Sequence, residues 1–159
     1  MHKVIDDYLP SEQHISLKKL MESDNFPWFF NKGKVFETDK LFDYQFLHIF
    51  YKEDKINSNY FDLLNPLIKK LKPLSLIRVK ANLYPNINKV VKHPKHVDYD
   101  FITKGALFYL NTNNGPTYVE NKKIDSVKNR LLLFNASKQH NSTTCTDKKI
   151  RLNINVNYL

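Results

Sequence analysis

The sequence predicts a mainly β protein, with helices in its N-terminal part and C-terminal strands that pack as a sandwich or barrel. Three observations predict this. From Leu74 onward, apolar residues recur at every second position. The strand-like runs there are short, follow one another directly and are separated by turn residues, which argues against a parallel sheet with crossover helices. Before Leu74, apolar residues recur twice at helical spacing.

Ser11 is placed to cap a helix running from Glu12 to about Met21, on which Ile15, Leu17, Leu20 and Met21 make a rough apolar stripe. Phe26-Pro27-Trp28-Phe29-Phe30 breaks this helix and leads into an extended segment, with Trp28 read as a core residue. Residues 44–51 are aromatic and apolar, the composition of a buried strand. Leu63, Leu64, Leu67, Ile68 and Leu71 predict a second helix over about residues 59–71. Pro66 forces a kink or a later start, and Pro73 ends it. In the next segment Ile77, Val79, Ala81 and Leu83 face one way, and Arg78, Lys80, Asn82 and Tyr84 the other. Further strands are predicted over 105–111, 117–120, 130–135 and 149–158, with Asn113-Asn114-Gly115-Pro116 as a turn. In the last strand Ile150, Leu152, Ile154 and Val156 alternate with Arg151, Asn153, Asn155 and Asn157. Alone, that alternation describes a half-buried strand with a wet outer face.

A length of 159 residues suits one core. We read a single domain over 1–159, with 1–73 as helical and mixed support and 74–159 as the β core. Aromatics make up 13% of the chain, so Phe and Tyr fill much of the interior. No apolar run approaches the roughly 20 residues that a membrane helix needs. The start, Met1-His2-Lys3-Val4-Ile5-Asp6-Asp7, lacks the apolar stretch of a secretory leader. The single cysteine, Cys145, excludes an internal disulfide and reads as inert. A cytoplasmic protein without a membrane partner is expected. The net charge of +9 points towards a polyanion such as nucleic acid. The lysines are dispersed, however, and abundant Lys, Asn and Ile beside three Gly suit an AT-rich viral or microbial gene. Against that background the three arginines, Arg78, Arg130 and Arg151, mark places where a guanidinium is needed.

The chemistry concentrates in three residues. A non-haem iron site that activates dioxygen takes two imidazoles and one carboxylate on one face of an octahedron and leaves the other face open. Two ligands two residues apart on a strand project to the same side. His96-Val97-Asp98 supplies such a pair, and His140 is the only histidine after it. His93 precedes His96 by three residues but is followed by Pro94, and reads as a supporting or exposed residue. Asp100 reads as a solvated loop residue with a position from which it can meet substrate.

With its surrounding strands, this constellation resembles the iron(II)/2-oxoglutarate-dependent oxygenases, especially their small prolyl-hydroxylase-like branch. Asn82-Leu83-Tyr84-Pro85 resembles the strand that carries a cosubstrate-binding tyrosine before the metal motif. His96-Val97-Asp98 is similar to the H-x-D motif, Phe108-Tyr109-Leu110-Asn111 to the strand that follows it, and 130–135 to the strand leading to the distal histidine, His140. Arg151 stands where the family places the basic residue that binds the cosubstrate. The resemblance covers about half of the chain. It departs where Ala136-Ser137 and Asn141 flank His140 in place of glycine, and where Gly115 lacks a second glycine.

The resemblance implies a double-stranded β-helix (jelly-roll) core and an Fe(II)- and 2-oxoglutarate-dependent dioxygenase, with ascorbate as a further reductant. His96, Asp98 and His140 would hold the metal, and the Arg151 fork would take the far carboxylate of 2-oxoglutarate through two parallel hydrogen bonds. Asn153 shares the Arg151 face, Tyr84 and Tyr109 offer phenolic donors, and Asn82 shares the Tyr84 face. The implied reaction hydroxylates a protein or peptide side chain, proline among the candidates, and turns 2-oxoglutarate into succinate and CO2. One alternative is an oxidative nucleic-acid demethylase or base hydroxylase, suggested by the charge and by Asn82-x-Tyr84. Another is a β-sandwich binding module without catalysis.

Overall fold

A computed structural model describes residues 2–32 and 44–159. The chain runs β1 (Lys3–Ile5), α1 (Ser11–Met21), β2 (Phe29–Asn31), β3 (Gln45–Lys52), β4 (Lys55–Ile56), a 3₁₀ turn (Phe61–Leu64), α2 (Asn65–Leu71) and β5 (Leu76–Pro85). It continues as β6 (Lys104–Tyr109), β7 (Asn113–Val119), β8 (Lys122–Ser126), β9 (Leu131–Asn135), β10 (His140–Asn141) and β11 (Ile150–Tyr158). The strands form two antiparallel sheets of unequal size in a jelly-roll arrangement. The larger has the order β1-β9-β6-β11-β5-β3-β2, with β4 attached to β3, and the smaller has the order β10-β7-β8.

The central strand β11 pairs with β5 on one side and β6 on the other. Its registers put Arg151 opposite Tyr84, Asn153 opposite Asn82 and Tyr109, and Asn157 opposite Arg78. One face of the large sheet is therefore polar and the other apolar. The apolar face, with Val79, Ala81, Phe108, Leu152, Ile154 and Val156, packs under Leu17 and Met21 of α1 and Leu64 and Leu67 beside and within α2. Each such aliphatic side chain contributes about 1.5–3 kcal/mol when fully buried. The polar face points between the two sheets. A second, smaller cluster there includes Leu107, Tyr109, Val119, Leu132 and Phe134. Thus the outer face of β11 is not wet: all of residues 151–158 are buried.

Several expectations need correction. Ser11 is the first residue inside α1 rather than its cap; Pro10 precedes the helix, and no side chain caps it. The buried stripe is His14, Leu17 and Met21, whereas Ile15 is exposed. His14 is admitted because its Nε2 lies 3.0 Å from the Leu110 carbonyl, which satisfies a ring nitrogen that burial strips of water. The second helix starts late, at Asn65, because Pro66 fits the first helical turn but not an interior. Lys72 ends it in the left-handed region, at φ 52°. The segment 113–116 is no free turn: it opens β7, and its ladder register slips between Asn113 and Thr117. Pro116 has no amide to give to the ladder, and Asn113 Oδ1 takes the Gly115 amide at 3.0 Å instead. β8 escapes the sequence pattern because only Ile124 among its residues is a large apolar one. The β7–β8 hairpin is closed by Glu120 and Asn121, both at positive φ, as a two-residue turn requires.

Candidate active site

The segment after β5 runs antiparallel to the segment around β10. The amides of His93, His96 and Asp98 donate to the carbonyls of Ser142, His140 and Ala136 at 3.0, 3.0 and 2.9 Å. The His140 amide returns a bond to the His96 carbonyl at 2.9 Å. This reciprocal pair sets the two histidines directly opposite each other, with ring centroids 4.5 Å apart. One ligand atom each from His96, Asp98 and His140 lies within 4.8 Å of the others. The His140 Nε2 is 3.7 Å from Asp98 Oδ2, and the His96 Nε2 is 4.0 Å from Asp98 Oδ1.

The imidazoles are oriented as metal ligands need. His140 Nδ1 lies 2.9 Å from the Lys138 carbonyl, and His96 Nδ1 lies 3.4 Å from the Pro94 carbonyl. A carbonyl only accepts, so these contacts put a ring proton on Nδ1 and turn Nε2 towards Asp98. Burial, followed by the neighbouring His140, pushes His96 down to about 4, so it is neutral near pH 7. Burial alone would raise the Asp98 carboxyl. The charges of Arg78, Lys80 and His140 and a hydrogen bond from Asn157 outweigh it and hold the group well below the usual carboxylate range. The Asp98 carboxylate is clamped on both oxygens: Arg78 Nη2 donates to Oδ1 at 2.8 Å and Asn157 Nδ2 to Oδ2 at 2.9 Å. Arg78 also donates to Asn157 Oδ1 at 2.9 Å, which closes the triangle. Two imidazoles and an ionised carboxylate held in place are a donor set that fits a divalent transition metal.

One cleft between the sheets joins this triad to Arg151. Arg151 is fully buried. Its Nε donates to the Gly115 carbonyl at 2.9 Å and its Nη2 to Thr117 Oγ1 at 2.7 Å, with longer contacts to Ser126 Oγ and the Thr143 carbonyl. Among the described residues, all of these hydrogen-bond partners are neutral. A buried guanidinium without an anion is costly, which suits it to receive one. The Tyr84 ring lies 5.1 Å from the guanidinium carbon and the Tyr109 ring 5.9 Å from it. Burial pushes both phenols up against the pull of the Arg151 charge, so both keep their protons as donors. Gly115 is required here for close approach, not for a turn. A Cβ there would sit 3.0 Å from Arg151 Cδ and run into the Thr144 carbonyl.

Of the residues expected from the sequence, His96, Asp98, His140, Arg151, Tyr84, Asn82 and Asn153 all line this cleft. Tyr109 stands behind it, its hydroxyl donating to Thr117 Oγ1 at 2.8 Å. His93 is buried outside the triad, stacked on Tyr84 at 5.5 Å, and Asp100 is exposed. Cys145 is buried, and Trp28 is half-buried with Nε1 on the Met21 carbonyl at 3.1 Å. Sequence reasoning missed the roles of Arg78 and Asn157 on Asp98. A signal was present: Arg78 is one of three arginines and shares the Tyr84 face of β5. Gln45, from the N-terminal half, also lines the cleft. Nothing in its local sequence marks it.

Scans against family models and against curated sequences match nothing. Solved structures do match. One is a prolyl hydroxylase from Trichoplax adhaerens in complex with a peptide from the oxygen degradation domain of hypoxia inducible factor. It is 15% identical with a TM-score of 0.70, over 99% of this chain and 83% of that one. Another is an oxidoreductase of the 2OG-Fe(II) oxygenase family from Burkholderia pseudomallei, 8% identical with a TM-score of 0.70, over 99% and 84%. The fold is that of the 2OG-Fe(II) oxygenases. A third structure with this oxygenase fold is HygX from Streptomyces hygroscopicus with nickel and 2-oxoglutarate bound, 14% identical with a TM-score of 0.66, over 99% and 82%. Among the described residues, no helix is long and apolar enough to cross a membrane.

Proposed function

We propose that this chain is an iron(II)- and 2-oxoglutarate-dependent dioxygenase that hydroxylates a side chain of a protein or peptide, prolyl residues among them. The observation that carries this reading is one cleft that holds the His96–Asp98–His140 triad and a buried Arg151 whose hydrogen-bond partners among the described residues are all neutral. The oxygenase fold and the peptide complex of the Trichoplax prolyl hydroxylase support it. Bound iron supplies the chemistry that couples decarboxylation of 2-oxoglutarate to hydroxylation, with succinate and CO2 as co-products.

The residues of this chain do the rest. His96, Asp98 and His140 hold the metal, and the Arg78–Asn157 pair keeps the carboxylate ionised and turned towards it. Arg151 takes the far carboxylate of the cosubstrate, and Tyr84 and Asn153 offer further donors along the cleft. No side chain has to act as a general base. The walls of the cleft, including Leu107 and Phe134, limit water around the reacting groups.

The test is succinate release with iron, 2-oxoglutarate and ascorbate against panels of peptides, free amino acids and methylated oligonucleotides. Peptide-stimulated release is expected. His140→Ala should abolish iron-dependent release and leave the far-ultraviolet circular dichroism unchanged. Wild-type protein that binds neither metal nor 2-oxoglutarate would overturn the proposal.

A further inference from the structure

Among the described residues, four side-chain amides line the cleft, each more than nine-tenths buried, and each has one atom without a hydrogen-bond partner there: Gln45 Oε1, Asn82 Oδ1, Asn153 Nδ2 and Asn155 Oδ1. Buried amide atoms are seldom left unpaired, because losing water without a replacement bond is costly. Asn82 and Asn153 share one bond of 2.9 Å. Whichever way that pair is turned, one donor and one acceptor remain. Asn155 has no such freedom. Its Nδ2 faces Asp98 Oδ2 at 3.4 Å, and a carboxylate only accepts, so its Oδ1 is the free end.

A 2-oxoglutarate dianion brings acceptors only. It can serve Arg151 and the donor of the Asn82–Asn153 pair, but not the carbonyl oxygen of Asn155. That oxygen calls for a ligand with hydrogens to donate. A cationic donor is disfavoured, because Arg151 and Lys80 line the same cleft and Arg78 sits on Asp98, its one carboxylate among the lining residues. Lys80 stands directly opposite Asn155 in the β5–β11 register.

We infer that the substrate presents a neutral amide N–H to the Asn155 carbonyl oxygen, so that an amide-bearing peptide segment is recognised beside the metal triad. This rests on the oxygenase reading and adds the chemistry by which substrate is selected. The N–H can come from a peptide backbone or from a carboxamide side chain.

The experiment titrates protein loaded with Mn(II) and saturating 2-oxoglutarate, which cannot turn over without oxygen, with three capped residues in a calorimeter. N-acetylalanine N-methylamide offers backbone N–H groups, N-acetylasparagine N-methylamide adds a carboxamide, and N-acetylproline N,N-dimethylamide has no N–H. The first two should bind at least about tenfold more tightly than the third, the loss expected when a buried acceptor stays unpaired. A further gain for the asparagine probe assigns the contact to the carboxamide, and equality with alanine assigns it to the backbone. Asn155→Leu should erase the preference while the 2-oxoglutarate affinity is kept; Asn155→Ala repeats the test if that variant does not fold. Equal affinity for all three probes, no binding of the N–H probes, or a preference that survives both substitutions overturns the inference. Failure of 2-oxoglutarate itself to bind the Mn(II)-loaded protein would instead overturn the oxygenase reading.

Discussion

Arg151→Lys keeps the charge in the cleft and removes the planar fork. The guanidinium spans acceptors at opposite ends: the Gly115 carbonyl on Nε at 2.9 Å and Thr117 Oγ1 on Nη2 at 2.7 Å. A single ammonium nitrogen cannot reach both, and the longer contacts to Ser126 and Thr143 are weakened as well. Losing two such bonds at about 0.5–1.5 kcal/mol each removes about 1–3 kcal/mol of stability. For a chain of this length that lowers the unfolding midpoint by about 3–10 °C. A separate loss falls on the cosubstrate. Replacing a two-bond contact with a point charge should raise the Michaelis constant for 2-oxoglutarate at least about tenfold, equivalent to about 1.4 kcal/mol. Calorimetric unfolding measures the first effect, and succinate release against 2-oxoglutarate concentration at saturating iron measures the second. Iron affinity should change little, because Arg151 is not among the triad's hydrogen-bond partners. Equal Michaelis constants in variant and parent would show that Arg151 does not hold the cosubstrate. An unchanged midpoint would refute the account of its hydrogen bonds.

Gly105→Ala should damage the metal site from a distance. A Cβ there would lie 2.6 Å from Phe134 Cζ, and Phe134 packs edge-on against His140 with centroids 4.9 Å apart. Overpacking of about 1–3 kcal/mol is expected, together with weaker Co(II) binding in a protein that still folds; unchanged Co(II) affinity would contradict it. The metal-free protein should lose stability as pH falls from 6.5 to about 4. Burial depresses His96 over that interval, so the unfolded chain binds the proton first. The depressed Asp98 carboxyl acts in the same direction at lower pH, its contribution present above the ordinary carboxylate range and lost below it. A midpoint that stays flat across the interval, or that falls equally in His96→Leu, would rule out His96 as the source.

How much of this could be read from the sequence depends on the range of the interaction concerned. The H-x-D spacing, the solitary later histidine and the alternation of residues 150–157 are local patterns, and a strand or a two-residue offset turns each directly into geometry. Helix boundaries are nearly local too, and the late start of α2 follows from Pro66 alone. Gly115 was visible as a glycine but not as a point of close approach, because the atoms it makes room for belong to Thr144 and Arg151. Gln45 reaches the cleft only through the pairing of β3 with β5, which no window around residue 45 contains.

β11 shows where the division falls. The sequence by itself determined that Arg151, Asn153, Asn155 and Asn157 share one face and that four aliphatic side chains, Ile150, Leu152, Ile154 and Val156, share the other. Alternation cannot say which face meets water, since period two is the same for a strand half in solvent and for one enclosed on both sides. Tertiary structure decided it. Helices α1 and α2 cover the apolar face, and the small sheet folds over the polar one, so a row that reads as a wet surface lines the closed space that holds Arg151 and the triad. The physical reason is that burial belongs to what packs against a strand and not to the strand, and here the packing partners lie scores of residues away in the chain.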